Sequence, residues 1–202
     1  VGGGTLTKTE DCPSNVFATW NFLSSPSNGN VGDVTGSNGN TTTSYFAQYR
    51  SYPATLGFKS GKWYWEVKRK TTNNDCHLGL VSENLTPANQ ATWFGNTPNG
   101  WTYAGDGGDL YHNGSNPGSS GYATFTTNDI IGVAYDADNG KLFFSKDGTW
   151  QNSSNPANGT NPAFSSLDTS LFYFPGIVAG ADTDTNFGNG YFGTTAVSSA
   201  GT

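Results

Sequence analysis

The groups in this chain that could do chemistry are few. There are two histidines, His77 and His112. His77 falls between Cys76 and Leu78 in an apolar-alternating run, so it points to the opposite side of a strand from both. His112 sits in Gly/Asn-rich sequence. No nucleophilic Ser or Cys motif accompanies either, so a catalytic triad has no support. The glutamates are Glu10, Glu66 and Glu83. Glycoside cleavage needs two carboxyls about 5–10 Å apart across the sugar. Glu66 has no second acid two residues away, and it reads as a solvent-face glutamate. Asp182, Asp184 and Asn186 have the D-x-D-x-N spacing of a Ca²⁺ loop. Phe187, however, stands where the sharp turn uses Gly, and Gly193 where a bidentate Glu belongs. Asp136, Asp138 and Asn139 are accounted for by turn chemistry, and zinc spacing of His and Cys is absent. Gly105-Asp106-Gly107-Gly108 is not followed by the Lys-Ser/Thr or the helix of a phosphate loop. No catalytic residue, metal ligand or cofactor is expected.

Binding chemistry is better represented. Trp93, Phe94, Trp101, Tyr103 and Tyr111 crowd one long Gly/Asn-rich stretch, with Asp106 and Asp109 among them. Rings with a polar handle make contact surfaces for proteins, and Asn or Asp beside them can bond sugar hydroxyls. These seven residues are the candidate binding set. A competing reading applies to Trp101 and Tyr103, which alternate as a short strand would and could both face a core. Five Asn-x-Ser/Thr triplets, at Asn40, Asn84, Asn113, Asn152 and Asn158, are expected by chance in so Asn-rich a chain, and matter only in a eukaryotic secreted protein.

The elements that must position these residues are β-strands. The chain has 202 residues, enough for one large β domain with its own core. No segment repeats apolar residues at helical spacing. Short strand-like runs alternate with Gly/Asn/Ser/Pro clusters, an all-β signature. Expected strands cover Val16–Leu23, Trp63–Val67, Cys76–Leu80, Tyr122–Thr126, Ile130–Tyr135, Lys141–Ser145, Leu171–Ala179 and Asn186–Phe192. Ile130–Tyr135 is apolar or small on both faces, which places it mid-sheet, and Asp136-Ala137-Asp138-Asn139-Gly140 supplies its turn. Aromatic residues make up 14% and charged residues 12%, so few large rings fill the core and Asn, Ser, Thr and Gly solvate the surface. The net charge of −6 argues against nucleic acid, which needs clustered Lys and Arg. Lys68-Arg69-Lys70 reads as a solvated strand tip. No apolar run reaches the ~20 residues of a membrane span. Cys76 is expected as a buried free thiol, with a Cys12–Cys76 bridge as the alternative. The chain lacks Met and reads as a processed product or one region of a longer protein. Residues 1–10 are expected as linker, 11–193 as the domain and 194–202 as a tail.

Several blocks in this order resemble the B30.2/SPRY family. Ser60-Gly61-Lys62-Trp63-Tyr64-Trp65-Glu66-Val67 is similar to the family's sGkhYWEV, Asp129–Asp136 to gDvIGvalD, and Gly140–Gly148 to g.lsFskNG. Phe174-Pro175-Gly176-Ile177 resembles the yPav step, and Asn186-Phe187-Gly188 with Phe192 the closing NFG segment. The resemblance implies a concanavalin-like jelly-roll: an all-β, two-layer antiparallel sandwich acting as a non-catalytic binding module through its loops. A closer likeness, carried by Asp11–Thr19 and the Asn/Gly/Thr/Ser texture, is to SPRY modules of tailed-phage, particularly marine-phage, virion proteins. It implies a place in capsid decoration, a head fibre or a tail appendage, on an exposed virion surface. The partners would be other virion proteins and a host-surface protein or glycan, with homo-oligomerisation through the parent chain. The alternatives are a cytoplasmic peptide-binding adaptor and an extracellular lectin-like domain.

Overall fold

The computed structural model describes residues 16–24, 34–44, 50–73, 75–117 and 122–197. Fourteen strands and one short helix follow in chain order: β1 (Gly36–Ser37), β2 (Thr42–Thr43), β3 (Ser51–Pro53), β4 (Lys62–Arg69), β5 (His77–Ser82), α1 (Pro87–Gln90), β6 (Gly100–Ala104), β7 (Leu110–His112), β8 (Ile130–Asp136), β9 (Lys141–Lys146), β10 (Thr149–Trp150), β11 (Tyr173–Val178), β12 (Thr183–Asn186), β13 (Tyr191–Phe192) and β14 (Thr195–Ala196). One sheet has the order β1-β2-β12-β4-β8-β9-β10, the other β3-β11-β5-β6-β7, and β13 and β14 form a separate hairpin. Every strand pair is antiparallel. Among the described residues no helix is long and apolar enough to cross a membrane.

The two sheets stack as a sandwich because period-two alternation gives each an apolar inner face. Trp65, Val67, Ile131, Val133, Tyr135, Leu142 and Phe144 from the larger sheet meet Leu78, Leu80, Tyr103, Tyr173 and Ile177 from the smaller in one buried cluster. Register sets the alignment: Trp65 pairs with Val133, Val133 with Phe144, and Leu78 with Ile177. β8 lies between β4 and β9. Its turn is built by Asp136, whose carboxylate accepts from the Asn139 backbone (3.1 Å) and side chain (2.9 Å), while Asp138 accepts from the Gly61 amide (2.9 Å). Behind β8, the Tyr64 hydroxyl lies so close over Gly132 that a Cβ there would press on it and on Ser145 Oγ.

Some expected elements take other forms. Val16–Leu23 is not a strand: Trp20 makes one isolated bridge to Ala54, and Phe22–Ser24 is a 3-10 turn. Ala18, Trp20 and Phe22 cap the core, with Trp20 edge-on to Phe187 and its indole donating to Thr185 Oγ1 at 2.9 Å, while Val16 and Leu23 are exposed. Tyr122–Thr126 forms no ladder, and side chains take three of its carbonyls: Tyr103 binds that of Ala123, Lys146 that of Thr124 and Arg69 that of Phe125. Residues 183–186, read as a failed Ca²⁺ loop, form β12, whose Asp184 accepts from Thr42 (2.7 Å). Glu66 is only 4% exposed, not on a solvent face, because Tyr64 and Asn186 both donate to it (2.9 and 3.1 Å). Cys76 is a free buried thiol, and Cys12 lies outside the described residues, as do residues 1–10.

Candidate ligand pocket on the smaller sheet

β5 sends Leu78 and Leu80 into the core, so alternation turns His77 and Val81 to the outer face of the smaller sheet. The segment after β5 folds back over that face. Thr86 starts α1 with a capping box: its Oγ1 accepts from the Asn89 amide, and Asn89 Oδ1 accepts from the Thr86 amide, both at 3.3 Å. Pro87 holds the first helical position, where no amide is needed. The segment is then pinned to β3 and its neighbours: Arg50 Nη1 donates to Ala91 O (2.7 Å), Ser51 Oγ to Thr92 O (2.6 Å), and Gln90 Nε2 to Ser24 Oγ (2.8 Å). Anchored so, Trp93 and Phe94 part company. Phe94 turns down onto Val81 and Val178 in a second apolar cluster, and Trp93, packed against the margin of that cluster, reaches across to His77.

Three rings meet there. Trp93 lies 5.1 Å from His77 and 4.7 Å from Tyr111, edge to face in both cases, and the His77 and Tyr111 rings lie 6.2 Å apart within 23° of parallel. With Asp75 they line a cavity of about 230 Å³. Asp75 Oδ2 lies 3.1 Å from His77 Nε2, and its Oδ1 accepts from the Asp106 amide at 2.9 Å. Burial alone would raise the Asp75 carboxyl; the hydrogen bond and charge of His77, the Asp106 amide and Arg69 outweigh it and hold it below the usual carboxylate range. At the rim, the Tyr111 hydroxyl donates to Asp109 Oδ2 (3.3 Å), and Asn116 Nδ2 donates to Asp109 Oδ1 (3.0 Å). Burial, then the Asp109 charge and hydrogen bond, then Asp75, raise the Tyr111 phenol. The lining offers ring faces and negative charge, which is binding chemistry.

Of the seven residues expected to bind, the fold brings Trp93, Tyr111 and Asp109 together. Phe94 and Tyr103 are fully buried, which corrects their expected place on a contact surface: alternation aims Tyr103 inward and the turn after Trp93 aims Phe94 inward. Trp101 packs in the sandwich with its ring 4.5 Å from His112, stacked within 10°, and edge-on to Tyr173. Asp106 directs its carboxylate to Arg69 Nη1 (2.9 Å) and serves the pocket through its backbone. Asp75 and His77 are the pocket residues that the aromatic count missed. The alternation that set His77 against Leu78 was the signal for one of them. A larger open trough of about 450 Å³, between Leu23 and Phe174, has no facing pair of rings.

The SPRY domain profile matches residues 62–190, from the start of β4 to the residue before β13, and spans every pocket residue. The chain belongs to the SPRY family. A search of curated proteins finds none similar to it. SPRY domains are generally protein-binding modules, and this one carries its rings and carboxylates on the outer face of one sheet, held by the 83–99 excursion.

Proposed function

We propose that this SPRY domain is a non-catalytic binding and display module that grips a protein partner through the His77/Trp93/Tyr111 pocket. The supporting observation is the convergence of three rings and a carboxylate on one accessible concavity. Aromatic anchors in a partly desolvated pocket are where protein contacts gain most of their affinity. The carrier we propose is a tailed-phage virion protein, as capsid decoration, head fibre or tail appendage, with other virion proteins and a host-surface protein or glycan as partners. Its support is the likeness of Asp11–Thr19 to phage modules and the low charged fraction of 12%. Panning a random heptapeptide display library against the domain tests the binding site. Selected peptides should lose at least about tenfold in affinity for Trp93→Ala and Tyr111→Ala, a hot-spot-sized effect. Peptides indifferent to both substitutions would refute the site. An antibody against the domain, imaged on particles of the phage encoding it, tests the carrier; unlabelled particles refute it.

A further inference from the structure

We propose that the pocket takes a cationic side chain of the partner, an arginine guanidinium, stacked on Trp93 or Tyr111 and facing Asp75. The inference rests on the binding site proposed above and adds the chemistry of what enters it.

Size comes first. About 230 Å³ is below the ~300–1,000 Å³ of pockets that enclose drug-sized ligands, and suits one inserted side chain. Charge comes second. Asp75 lines the cavity and Asp109 is held at its rim by the Tyr111 hydroxyl. The Arg69 guanidinium is buried and already bonded to Asp106, Phe125 O (2.7 Å) and Thr71 O (2.9 Å), and that of Arg50 donates to Ala91 O (2.7 Å), so neither is offered to the cavity. An anionic side chain would meet the Asp109 carboxylate and that of Asp75, which His77 Nε2 already contacts at 3.1 Å. An apolar one would cover the 18% of the Asp75 side chain that is still exposed without offering it a partner. A cation gains from both the carboxylates and the negative ring faces. Arginine suits the site better than lysine because its plane stacks on a ring while its edge bonds a carboxylate. The chain as a whole, at −6, also favours approach of a basic segment.

The test follows the Trp93 indole N–H by NMR, assigned by its loss in Trp93→Phe, as acetyl-arginine methylamide is added to the intact chain. The same titration is run with the citrulline analogue, which is nearly isosteric and neutral, and with the glutamate analogue. The arginine compound should shift the resonance saturably and at least about tenfold more tightly than citrulline, and weaken several-fold at 0.5 M salt. Asp109→Asn should weaken it at unchanged melting temperature, and Tyr111→Phe, which keeps the ring, should retain more binding than Tyr111→Ala. Equal response to citrulline, or none at Trp93, overturns the inference. The heptapeptide pool separates the two readings. Peptides that need Trp93 but carry neither Arg nor Lys leave the site standing and remove the cation. Peptides that ignore Trp93 remove both.

Discussion

Arg69 Nη1 and Asp106 Oδ1 lie 2.9 Å apart, yet the arginine side chain is 1% exposed and the aspartate 57%. The two partners are therefore unequal. Arg69 also bonds the carbonyls of Phe125 and Thr71 and lies over the Phe125 ring (5.8 Å). Arg69→Met should destabilise the domain by about 3 kcal/mol, because buried carbonyls lose their donor. Asp106→Asn should cost less than Arg69→Met, because asparagine keeps an oxygen that can accept from Arg69 Nη1. Urea melts of the two variants check the asymmetry, and equal losses would contradict it.

Acid should unfold the domain through Asp75 and Asp129. At Asp129 burial raises the carboxyl, but the hydrogen bond from Lys146, at 2.8 Å, and that from the Thr126 amide outweigh it. Both carboxyls are thus lower in the folded state than unfolded. Stability from a depressed carboxyl is present above the unfolded value, near pH 4, and is lost as pH falls through the folded one. The melting temperature should drop below about pH 4. Asp129→Asn should lower it at pH 7 and flatten the acid limb.

Cys76 should resist alkylation in the native domain. Burial, opposed by the Arg69 charge and aided by those of Asp75 and Asp106, pushes its thiol up to about 12. At pH 8 very little thiolate exists, and none of it is reachable without opening the sandwich. Peptide-resolved mass spectrometry after iodoacetamide should show Cys76 modified only at denaturant concentrations that unfold the chain.

Gly79 should not tolerate a side chain. It sits in mid-β5 opposite Thr102, and a Cβ there would fall on the Trp101 carbonyl oxygen. Gly79→Ala should cost about 3 kcal/mol, lowering the melting temperature by roughly 6–12 °C.

The parts of the fold legible from sequence were those whose local pattern matches their final surroundings. β8 and β9 combine apolar runs with an Asp/Asn/Gly turn, and Trp65 and Val67 alternate onto the core face as the sandwich requires. Residues 83–122 were harder, because β6 and β7 are short and set apart by Gly, Asn and Pro, and they are fixed by β6 pairing onto β5 and β7 onto β6. Val16–Leu23 misleads in the opposite way: Ala18, Trp20 and Phe22 serve a cap, not a ladder. Alternation assigns Glu66 a face but cannot show that Tyr64 and Asn186 roof it. The site divides similarly. Trp93 and Tyr111 stand out as rings in polar sequence, whereas Asp75 joins them through the Asp106 amide, a long-range contact that no local pattern encodes.

The outermost strands of both sheets are very short: β1 and β10 have two residues each, and β3 and β7 three. Strips this brief offer a neighbouring molecule almost no run of unpaired amides and carbonyls to zip onto. A sandwich bounded by such short margins is poorly built to join its sheets, rim to rim, with those of a second copy.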